Sequence, residues 1–327
     1  MIVLVTGGAG YVGSHAVRLL DQQGVDLWVY DNLSEGHRQA VRAERLIVGD
    51  LTDRAKLEAI LREKRVQAVM HFAASAYVGE SVENPAKYYQ NNLVGTLSLM
   101  EAMRAAGVRR MVFSSTCATY GVPQKIPITE DEKQQPINPY GFTKLAIERA
   151  LSDYAHAYGW GYAALRYFNA CGAASGGEIG EDHDPETHLI PLVLQAALGQ
   201  RKEVLIYGND YPTPDGTCIR DYIHVDDLAT AHLAALERID AGGQTKLNLG
   251  TGHGVSVREV IDACCRVADR EIPSRVVARR PGDPPVLVAD AGRAERELDW
   301  HPRYITIESI VETAWRWHQS HPHGYDD

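Results

Sequence analysis

Short apolar runs alternate with longer segments of helical periodicity through the first half of the chain. The apolar runs predict buried strands, and segments with apolar positions three and four residues apart predict helices between them. The predicted strands are 2–6, 26–30, 45–48, 67–71, 110–114 and 162–167. The predicted helices are 11–23, 54–64, 86–106 and 139–158. This alternation is typical of a parallel sheet that is covered by helices on both faces.

The pattern changes after Asn169. Residues 172–184 are rich in glycine, acidic and small residues and predict a loop, and the remainder mixes short strands with helices. We therefore predict an α/β protein with a doubly wound parallel sheet at 1–170 and a smaller C-terminal α/β domain at 171–327. Within 217–250, the stretches 222–224 and 247–249 are candidates for a return of the chain to the first sheet.

Composition indicates an ordinary globular chain with an acidic balance. The 327 residues suffice for one large domain or two ordinary ones, and 45% are hydrophobic and 23% charged. The formal net charge of −10 argues against a protein that binds nucleic acid or an acidic membrane surface through a basic face. An acidic protein that binds an anionic ligand must concentrate positive charge locally.

Cysteine usage and the N-terminus bear on the cellular compartment. The five cysteines are odd in number and form no C-x-x-C pair, so we expect neither a disulfide framework nor a cysteine-based zinc site. The N-terminus has no basic region before its first apolar run and therefore predicts no signal peptide. Since no apolar stretch reaches about 18 residues, no membrane helix is expected, and the expected location is cytoplasmic.

A glycine-rich turn between the first strand and the first helix is the strongest local signal. Glycines here let the backbone turn tightly and approach a pyrophosphate, which the helix N-terminus then stabilises. Gly8, Gly10 and Gly13 satisfy G-x-G-x-x-G, while Gly7, Gly10 and Gly13 satisfy G-x-x-G-x-x-G. The motif alone does not choose between the two frames, and the simpler alternative is a glycine turn without a ligand.

Asp31 supports a dinucleotide site. It ends the second predicted strand about 20 residues beyond the glycines, where a carboxylate accepts hydrogen bonds from the adenosine ribose. A carboxylate there repels a 2′-phosphate, and the next residue is Asn32 rather than an arginine, so NAD is favoured over NADP. The segments 50–51 and 71–74 end the third and fourth strands, beside the expected cofactor.

Tyr140 and Lys144 form the candidate catalytic pair. Pro139 places them one turn apart on one face of a helix that follows the strand ending at Thr116. A phenol with a pKa near ~10 is a poor base, but an ammonium ~5 Å away contributes about 3 kcal/mol in favour of phenolate at an effective dielectric of ~20. That corresponds to a pKa lowered by about two units. The alternative is an exposed helical tyrosine and a solvated lysine.

These motifs resemble those of UDP-glucose 4-epimerases, members of the extended short-chain dehydrogenase/reductase superfamily, over nearly the whole chain. The matching stretches are VTGGAGYVGSH (5–15), YDNLS (30–34), VGES (78–81), YYQNN (88–92), NPYG (138–141), LRYFN (165–169) and IRDYIHV (219–225). The cofactor motifs are shared by the superfamily, whereas YDNLS and YYQNN are more specific to the 4-epimerases. The resemblance implies a Rossmann-type fold whose smaller domain holds a UDP-sugar.

The resemblance and the motifs together imply a set of site residues. The implied catalytic residues are Tyr140, Lys144 and Thr116. The implied NAD-binding residues are Gly7, Gly10, Tyr11, Val12, Gly13, Asp31, Asn32, Leu33, Ser34, Gly36, Asp50, Leu51, Phe72, Ala73, Ala74, Asn91, Ser114, Tyr140, Lys144 and Phe168. The implied substrate-binding residues are Thr116, Tyr140, Asn169, His188, Leu189, Tyr207, Arg220, Arg280, Asp283 and Leu287.

The resemblance also implies a mechanism and an assembly. Tyr140 takes the proton of the sugar 4-hydroxyl while hydride passes from C4 to NAD, and the 4-keto sugar turns before hydride returns to its other face. Arg220 and Arg280 match diphosphate-binding arginines, and Leu287 lies beside the C2 substituent. The helical segments 86–106 and 139–158 imply a homodimer. Ala76 departs from the family, where many members have a lysine that touches the cofactor.

Three alternatives remain open at the level of sequence. A UDP-sugar dehydratase needs an acid–base pair after the fifth strand, where this chain has 116–119 without a carboxylate. A 4-epimerase of UDP-pentose or UDP-N-acetylhexosamine is the more serious alternative, and a non-catalytic NAD sensor would not need Tyr140. The segment 181–188, EDHDPETH, contains potential metal ligands without a recognised spacing, so it predicts a solvated loop and no metal.

Overall fold

The predicted strands of the first half form one parallel sheet with a seventh strand from the second half. The computed structural model describes residues 1–239, 242–280 and 282–325. The strands in these residues are β1 (Ile2–Thr6), β2 (Asp26–Asp31), β3 (Leu46–Val48), β4 (Ala68–His71), β5 (Arg110–Thr116), β6 (Gly161–Tyr167), β7 (Asn169–Cys171), β8 (Val204–Tyr207), β9 (Ile219–His224), β10 (Gln244–Leu249), β11 (Gly254–Ser256), β12 (Ser274–Val277) and β13 (Val286–Leu287).

Helices connect these strands and cover the sheet. They are α1 (Tyr11–Gln22), α2 (Arg54–Glu63), α3 (Val78–Glu83), α4 (Pro85–Tyr88), α5 (Gly95–Ala106), α6 (Pro139–Tyr158), α7 (Leu189–Ala197), α8 (Val225–Arg238), α9 (Val257–Ala268), α10 (Gly292–Leu298) and α11 (Ile307–Ser320). Among the described residues, no helix combines the length and apolar character needed to cross a membrane.

The order of strands in the seven-stranded sheet is β10-β6-β5-β4-β1-β2-β3, and neighbours run parallel. The order reverses direction beside β1, which is the topological switch point where α/β sheets bind ligands. The predicted Rossmann-type fold is thus confirmed. Of the two candidate returns to this sheet, 247–249 belongs to β10, whereas 222–224 belongs to β9 in another sheet. The predicted division into two domains near residue 170 stays a prediction.

Two apolar cores lie on opposite faces of the central sheet, and successive side chains of its buried strands point alternately into one or the other. Val3 and Val5 on β1 face a core that includes residues of α1 and α8, while Leu4 faces a core that includes residues of α2, α5 and α6. Successive side chains of a strand point to opposite faces, so a strand buried on both faces is apolar throughout. This explains why the strands were visible as continuous apolar runs.

The predicted helix 86–106 is interrupted. The chain forms α4, a π-helical turn at Tyr89–Val94 and then α5. Within the π-turn, the Asn92 side-chain amide donates to the Ser75 carbonyl at 3.0 Å, and its oxygen accepts the Ser75 N–H at 2.8 Å. A π-turn reorients side chains relative to a regular helix. Here it ties the helix to the segment that follows β4.

Most strands of the second half of the chain form two smaller sheets, one of four strands and one of two. Strands β7, β11 and β13 all pair with β9, and β8 pairs in parallel with β12. A separate apolar core lies among α7, α9 and α11 and includes Val193, Cys264 and Trp315. Cys264 is fully buried in this core, in agreement with a packing role.

The segment 181–188 is a loop, as the sequence predicted, but it is only partly solvated, since Asp184, Pro185 and Thr187 are exposed whereas both glutamate side chains are buried. The side chains of Glu181 and Glu186 are each only 4% exposed. The Trp317 indole N–H donates to the Glu181 carbonyl at 3.1 Å, and a Cβ on Gly180 would lie 2.3 Å from the same ring. Packing by helix α11, which is distant in the chain, therefore buries Glu181 within a segment whose composition alone is typical of an exposed loop.

A buried ion pair fastens α6 to the sheet. Arg166 on β6 donates from Nε to Glu148 Oε1 at 2.9 Å and from Nη2 to Oε2 at 2.6 Å, and both side chains are at most 3% exposed. The Ser115 hydroxyl on β5 donates to Glu148 Oε1 at 2.6 Å, and Arg166 Nη1 donates to the Tyr120 hydroxyl at 2.8 Å. Bidentate geometry of this kind fixes orientation as well as distance.

Replacing Arg166 tests how much this pair holds the fold. Arg166→Met leaves the Glu148 carboxylate buried without its cation, so we expect the free energy of unfolding to fall by about 3–5 kcal/mol in chemical denaturation. The double variant Arg166→Met/Glu148→Met should recover much of that loss. Arg149→Met changes a side chain on α6 that is 80% exposed and should cost at most about 0.5 kcal/mol. Equal losses in the single and double variants would contradict the assignment.

Candidate active site

A cleft of about 1360 Å³ opens at the carboxyl ends of the central strands. It extends from the turn after β1, past the ends of β2, β4 and β5, to α7, β8 and β13. The predicted site residues that line it are Gly7, Gly10, Tyr11, Val12, Gly13, Asp31, Asn32, Ser34, Gly36, Asp50, Leu51, Phe72, Ala73, Ala74, Asn91, Thr116, Tyr140, Phe168, Asn169, His188, Leu189, Tyr207, Arg220, Arg280, Asp283 and Leu287. The predicted residues Leu33, Ser114 and Lys144 are not among the residues that line the cleft. Ser114 and Lys144 are buried.

The glycine turn after β1 forms one wall by close backbone approach. A Cβ on Gly7 would lie 2.3 Å from the Ala73 nitrogen, and a Cβ on Gly13 would lie 2.1 Å from the Gly7 carbonyl oxygen. Gly7 also has a φ of +71°, which favours glycine. Gly8 instead packs beneath the turn, where a Cβ would lie 2.9 Å from Val29. The frame that faces the cleft is therefore the one that begins at Gly7.

Asp31 ends β2 at the same edge. Its two carboxylate oxygens accept the backbone N–H groups of Ala9 at 2.9 Å and Leu33 at 2.8 Å. Burial raises the pKa of Asp31, and these two hydrogen bonds partly offset that rise. Next to it, the Asn32 amide donates to Asp50 Oδ2 at 2.9 Å, which joins the ends of β2 and β3.

These features fit the adenosine diphosphate half of a dinucleotide. The turn leaves no room for side chains where a pyrophosphate approaches, and α1 begins at Tyr11 with its N-terminus at the cleft. Asp31 is fixed by backbone groups and still has acceptor capacity for ribose hydroxyls. The residues present therefore fit the cofactor that the sequence predicts.

Close packing positions Tyr140 at the first turn of α6. The Asn138 side chain caps the helix by accepting the Gly141 N–H at 2.8 Å. A Cβ on Gly141 would lie 2.5 Å from the Ala118 carbonyl oxygen, so glycine lets the helix approach the end of β5. The Thr116 side chain lies close enough to Tyr140 to lower its pKa, and Tyr140 is 8% exposed and lines the cleft.

Lys144 lies behind Tyr140 and is almost completely buried, at 3% exposure. Its Nζ donates to the Ser114 carbonyl at 2.8 Å and lies 5.9 Å from the centroid of the Tyr140 ring. Burial lowers the pKa of Lys144 to about 7, so its positive charge is only partly present at neutral pH in the protein without ligands.

The pKa of Tyr140 is raised, whereas the sequence analysis predicted that Lys144 lowers it. Burial raises the pKa of Tyr140 above its ordinary value, the neighbouring Tyr167 adds to the rise, and the nearby Thr116 side chain lowers it. The expected lowering by Lys144 is not seen in the protein alone, because desolvation acts on both groups. An activated phenolate at this position therefore needs positive charge from a bound molecule in addition to Lys144.

On the opposite wall, two arginines have different surroundings. Arg220 is 12% exposed and pairs through Nη2 with Asp283, and its Nη1 donates to the Ile219 carbonyl at 2.8 Å. Arg280 stacks on Tyr207, with its guanidinium carbon 3.9 Å from the ring centroid. One face of the expected uracil platform is thus covered by a cation, which leaves the other face for a base.

The remaining predicted substrate residues lie around the middle of the cleft. The Asn169 amide donates to the Asp221 carbonyl at 3.1 Å, which holds it at the start of β7. His188 directly precedes α7, and Leu189 is the first residue of that helix. Leu287 packs with Phe168 in a small apolar cluster, on the strand β13.

The cleft also includes residues that the sequence analysis did not assign. Tyr77 donates to Glu35 Oε2 at 3.2 Å, and Lys87 pairs with Glu80 at 2.7 Å. Ala76 also lines the cleft on this side, and the charge of Lys87 is balanced by Glu80. Lys87 directly precedes the YYQNN motif. Its position beside this motif was the signal in the sequence that could have assigned it to the site.

Tyr167 is a second residue that was missed, although it lies within the LRYFN motif. Its hydroxyl and the Ser114 hydroxyl lie 2.7 Å apart, and its ring lines the cleft near Tyr140. Burial raises the pKa of Tyr167, so it stays a neutral phenol at the bottom of the site.

One recognised family covers most of the chain, including Tyr140 and Lys144. Residues 3–250 match the NAD dependent epimerase/dehydratase family. The chain belongs to this family.

At a finer level, the chain is similar to UDP-glucose 4-epimerases along its whole length, and the resemblance inferred from the sequence is confirmed. It is 52% identical to UDP-glucose 4-epimerase of Halalkalibacterium halodurans over 326 residues, which are 99% of this chain and 98% of that protein. The crystal structure of UDP-glucose 4-epimerase from Brucella ovis in complex with NAD has a TM-score of 0.93 and 55% identity, over 96% of this chain and 97% of that one. UDP-glucose 4-epimerase from Bifidobacterium longum in complex with NAD+ and UDP has a TM-score of 0.95 and 40% identity, over 99% and 100% of the chains.

The buried lysine predicts a pH dependence of stability. The pKa of Lys144 falls from 10.5 in the unfolded chain to about 7 in the folded protein, so below pH 7 the folded state bears the full cost of a buried charge. That cost disappears as pH rises from about 7 towards 10.5, because the unfolded chain then loses the proton as well. In the cofactor-free protein, Lys144→Met should remove up to about 5 kcal/mol of this pH dependence.

The measurement is chemical denaturation of both proteins between about pH 7 and 10. The stability of the wild type should rise relative to that of Lys144→Met across this range. Lys56→Met, which removes an exposed lysine on α2, is the control and should follow the wild type. A constant difference between wild type and Lys144→Met at every pH would refute the lowered pKa.

Proposed function

We propose that the protein is an NAD-dependent epimerase that interconverts UDP-glucose and UDP-galactose. The observation that carries the proposal is the position of Tyr140, which contacts Thr116 and adjoins Lys144 at the end of a cleft with a dinucleotide cradle. It is supported by relatives of this name that match the full chain, and by neighbours solved with NAD and with UDP.

The cofactor is NAD rather than NADP. Asp31 lies at the end of β2 with a buried carboxylate that two backbone N–H groups hold in place. A 2′-phosphate at the adenosine ribose would meet this carboxylate and repel it, whereas ribose hydroxyls would donate to it. Ala76 supplies no charge to the cofactor, so we expect retention of NAD to depend on the glycine cradle and Asp31.

Tyr140 is the proposed base. Its hydroxyl takes the proton from the sugar 4-hydroxyl, and the nearby Thr116 side chain lowers the pKa of the phenol and so favours its ionised form. The glycine turn and Asp31 would hold NAD, which would supply a hydride acceptor for C4 and the donor for return of the hydride to the opposite face. Lys144 lies behind the phenol, with Nζ 5.9 Å from its ring centroid, and its positive charge would add to that of the bound cofactor in favouring the phenolate. The same phenol then returns the proton to the oxygen at C4.

Arg220 and Arg280 are the proposed ligands of the UDP diphosphate. They line the wall opposite the glycine turn, and they concentrate positive charge in a protein whose net charge is −10. The planar guanidinium suits the oxygens of phosphate. A diphosphate that binds Arg220 competes with Asp283 for its Nη2, so we propose that the ion pair between them loosens when substrate binds.

We propose a homodimer formed through the helical segment that contains α4 and α5, together with α6. Apolar side chains are exposed here, among them Tyr89 at 39%, Val94 at 45% and Phe142 at 46%. Tyr89 and Phe142 come from the two helical segments and their ring centroids are 6.1 Å apart. Exposed apolar side chains from two neighbouring helices are typical of a subunit interface.

Incubation with UDP-galactose tests the function directly. The wild type with NAD should produce UDP-glucose, whereas Tyr140→Phe should lower kcat by at least ~10²-fold with little change in KM, because it removes the base and keeps the ring. Tyr158→Phe, which changes an exposed tyrosine at the other end of α6, is the matched control and should behave as wild type. No product from the wild type would overturn the function, and near-normal turnover by Tyr140→Phe would overturn the mechanism.

Leu287 predicts the breadth of sugar specificity. Leucine leaves more room beside the C2 substituent than an aromatic residue, so we expect slower but measurable turnover of UDP-N-acetylgalactosamine beside UDP-galactose. Leu287→Tyr should abolish the N-acetyl activity and spare the other, since only a steric clash discriminates by more than about 1–3 kcal/mol. Leu287→Met keeps the volume and should retain both activities. The comparison is kcat/KM for both sugars, and equal loss of both in Leu287→Tyr would refute the role.

The assembly is tested by the mass in solution. Sedimentation at micromolar concentration should give twice the chain mass of 36.1 kDa. Phe142→Glu introduces a charge into the proposed interface and should shift the protein towards the monomer. Val122→Glu, at a valine that is 62% exposed outside these helices, should leave the mass unchanged. A monomeric wild type would contradict the proposal.

A further inference from the structure

Four potential metal ligands meet at the edge of the cleft within the segment that was predicted to be solvated. They are Glu181, His183, Glu186 and His188, here named the 181–188 cluster. One oxygen or nitrogen atom from each residue lies within 4.8 Å of the corresponding atoms of the others. The spacing E-x-H-x-x-E-x-H has no regular helical or strand period, so only the folded loop brings these atoms together.

The separations match those of ligands around a small ion. The Nδ1 atom of His183 lies 3.4 Å from Glu181 Oε1 and 3.6 Å from Glu186 Oε2. The Nδ1 atom of His188 lies 3.3 Å from Glu186 Oε1 and 2.6 Å from Glu181 Oε1. Ligands held tetrahedrally at about 2.0–2.2 Å from an ion lie about 3.3–3.6 Å from one another. Three of the four separations lie in that range, although Glu186 offers a different oxygen to each histidine, and the fourth needs a small widening.

Several of these atoms are shielded from water without an aligned partner. The side chain of Glu181 is 4% exposed, and its Oε1 atom forms no hydrogen bond of acceptable geometry. The same holds for the Nδ1 atoms of His183 and His188. Buried polar atoms are nearly always hydrogen-bonded. Three such atoms directed into one small space therefore indicate a ligand that they share.

The surrounding backbone orients the cluster. Glu186 Oε1 accepts the N–H groups of Thr187 at 2.6 Å and of His188 at 2.7 Å, which fixes its carboxylate. The indole of Trp317 holds the Glu181 carbonyl. Hydrogen bonds of this kind are typical of the residues around a metal site, where they set the direction of each ligand.

Charge also favours a cation at this position. The cluster contains two carboxylates whose side chains are each 4% exposed, and burying two like charges close together is costly. A divalent ion would neutralise both. The alternative is that both imidazoles take up protons, in which case the cluster is a pair of ion pairs and binds no metal.

We propose that the 181–188 cluster binds one divalent transition-metal ion of the zinc type. Imidazole nitrogen is a preferred ligand of zinc and its neighbours, whereas magnesium and calcium prefer oxygen alone. Four protein ligands leave no open position, which is the pattern of a structural site. The sequence predicted no metal here because the motif has no recognised spacing. The proposal does not depend on the proposed epimerase activity.

A metal ion in the 181–188 cluster would stabilise one wall of the cleft through His188. His188 directly precedes α7 and its side chain is 43% exposed, although its Nδ1 atom is shielded within the cluster. The residue therefore faces both the cluster and the cleft, which it lines. An ion bound to Nδ1 would fix the imidazole that the substrate meets and would join the loop to the start of α7.

Metal titration of the full-length protein tests the proposal. Protein that has been dialysed against EDTA and then buffer is titrated with Zn²⁺, and separately with Co²⁺ as a spectroscopic probe. We expect one equivalent of either ion per chain and the visible absorption of four-coordinate cobalt. The Tm should rise by about 4 °C when Zn²⁺ exceeds its Kd by 100-fold. Absence of stoichiometric binding, or the spectrum of six-coordinate cobalt, would overturn the proposal.

Substitutions within the 181–188 cluster test whether the ion binds there. His183→Gln and Glu186→Gln should each weaken Zn²⁺ binding by at least ~100-fold and abolish the cobalt absorption. His323→Gln is the matched control, because His323 lines the same cavity of about 340 Å³ as Glu181, His183 and Glu186 but is not part of the cluster. Binding by His183→Gln that equals the wild type would show that the ion occupies another surface site. If a variant fails to fold, the cobalt spectrum of the wild type alone decides.

Discussion

The buried pair between Arg166 and Glu148 is the interaction on which the arrangement of the reactive residues depends. Glu148 lies two turns after Tyr140 on α6, and Arg166 holds it against the sheet with both charges out of water. The same guanidinium binds the Tyr120 hydroxyl, which donates to Asn248 on β10 at 2.7 Å. Neither charge is tolerated in the interior without the other, so helix and strands keep one relative position. The phenol is consequently placed by the sheet and not by the loops around the cleft.

Much of the fold was accessible from the sequence because local and tertiary signals agree there. The strands of the central sheet are buried on both faces and are therefore continuous apolar runs. Helix α6 was predicted with its observed bounds, since Asn138 caps it, Pro139 occupies its first position and Gly159 ends it with a φ of +68°. The glycine turn and the Tyr140 pair have fixed spacing and could be named from the residues alone, whereas most other site residues came from the resemblance. Most of the predicted set lines one cleft.

What the sequence could not provide depends on contacts between distant segments. The π-turn at Tyr89–Val94 is stabilised by Ser75, and the burial of Glu181 by Trp317, and neither partner is near in the chain. The pKa of Tyr140 was misjudged for the same reason. The spacing of Tyr140 and Lys144 shows their proximity but not the desolvation of both, which depends on the complete core around them.

The position of β10 has a consequence for the order in which the chain is made. Strand β10 pairs with β6 at one edge of the central sheet, yet roughly 80 residues separate the end of β6 from the end of β10. During synthesis at ~5–20 residues per second, the first six strands exist for about 4–16 s before their last neighbour has been added. Throughout that interval, the N–H and C=O groups of β6 present an open edge of the kind that pairs with other chains. The nascent protein is thus most exposed to misassembly while ribosomes are completing its second half.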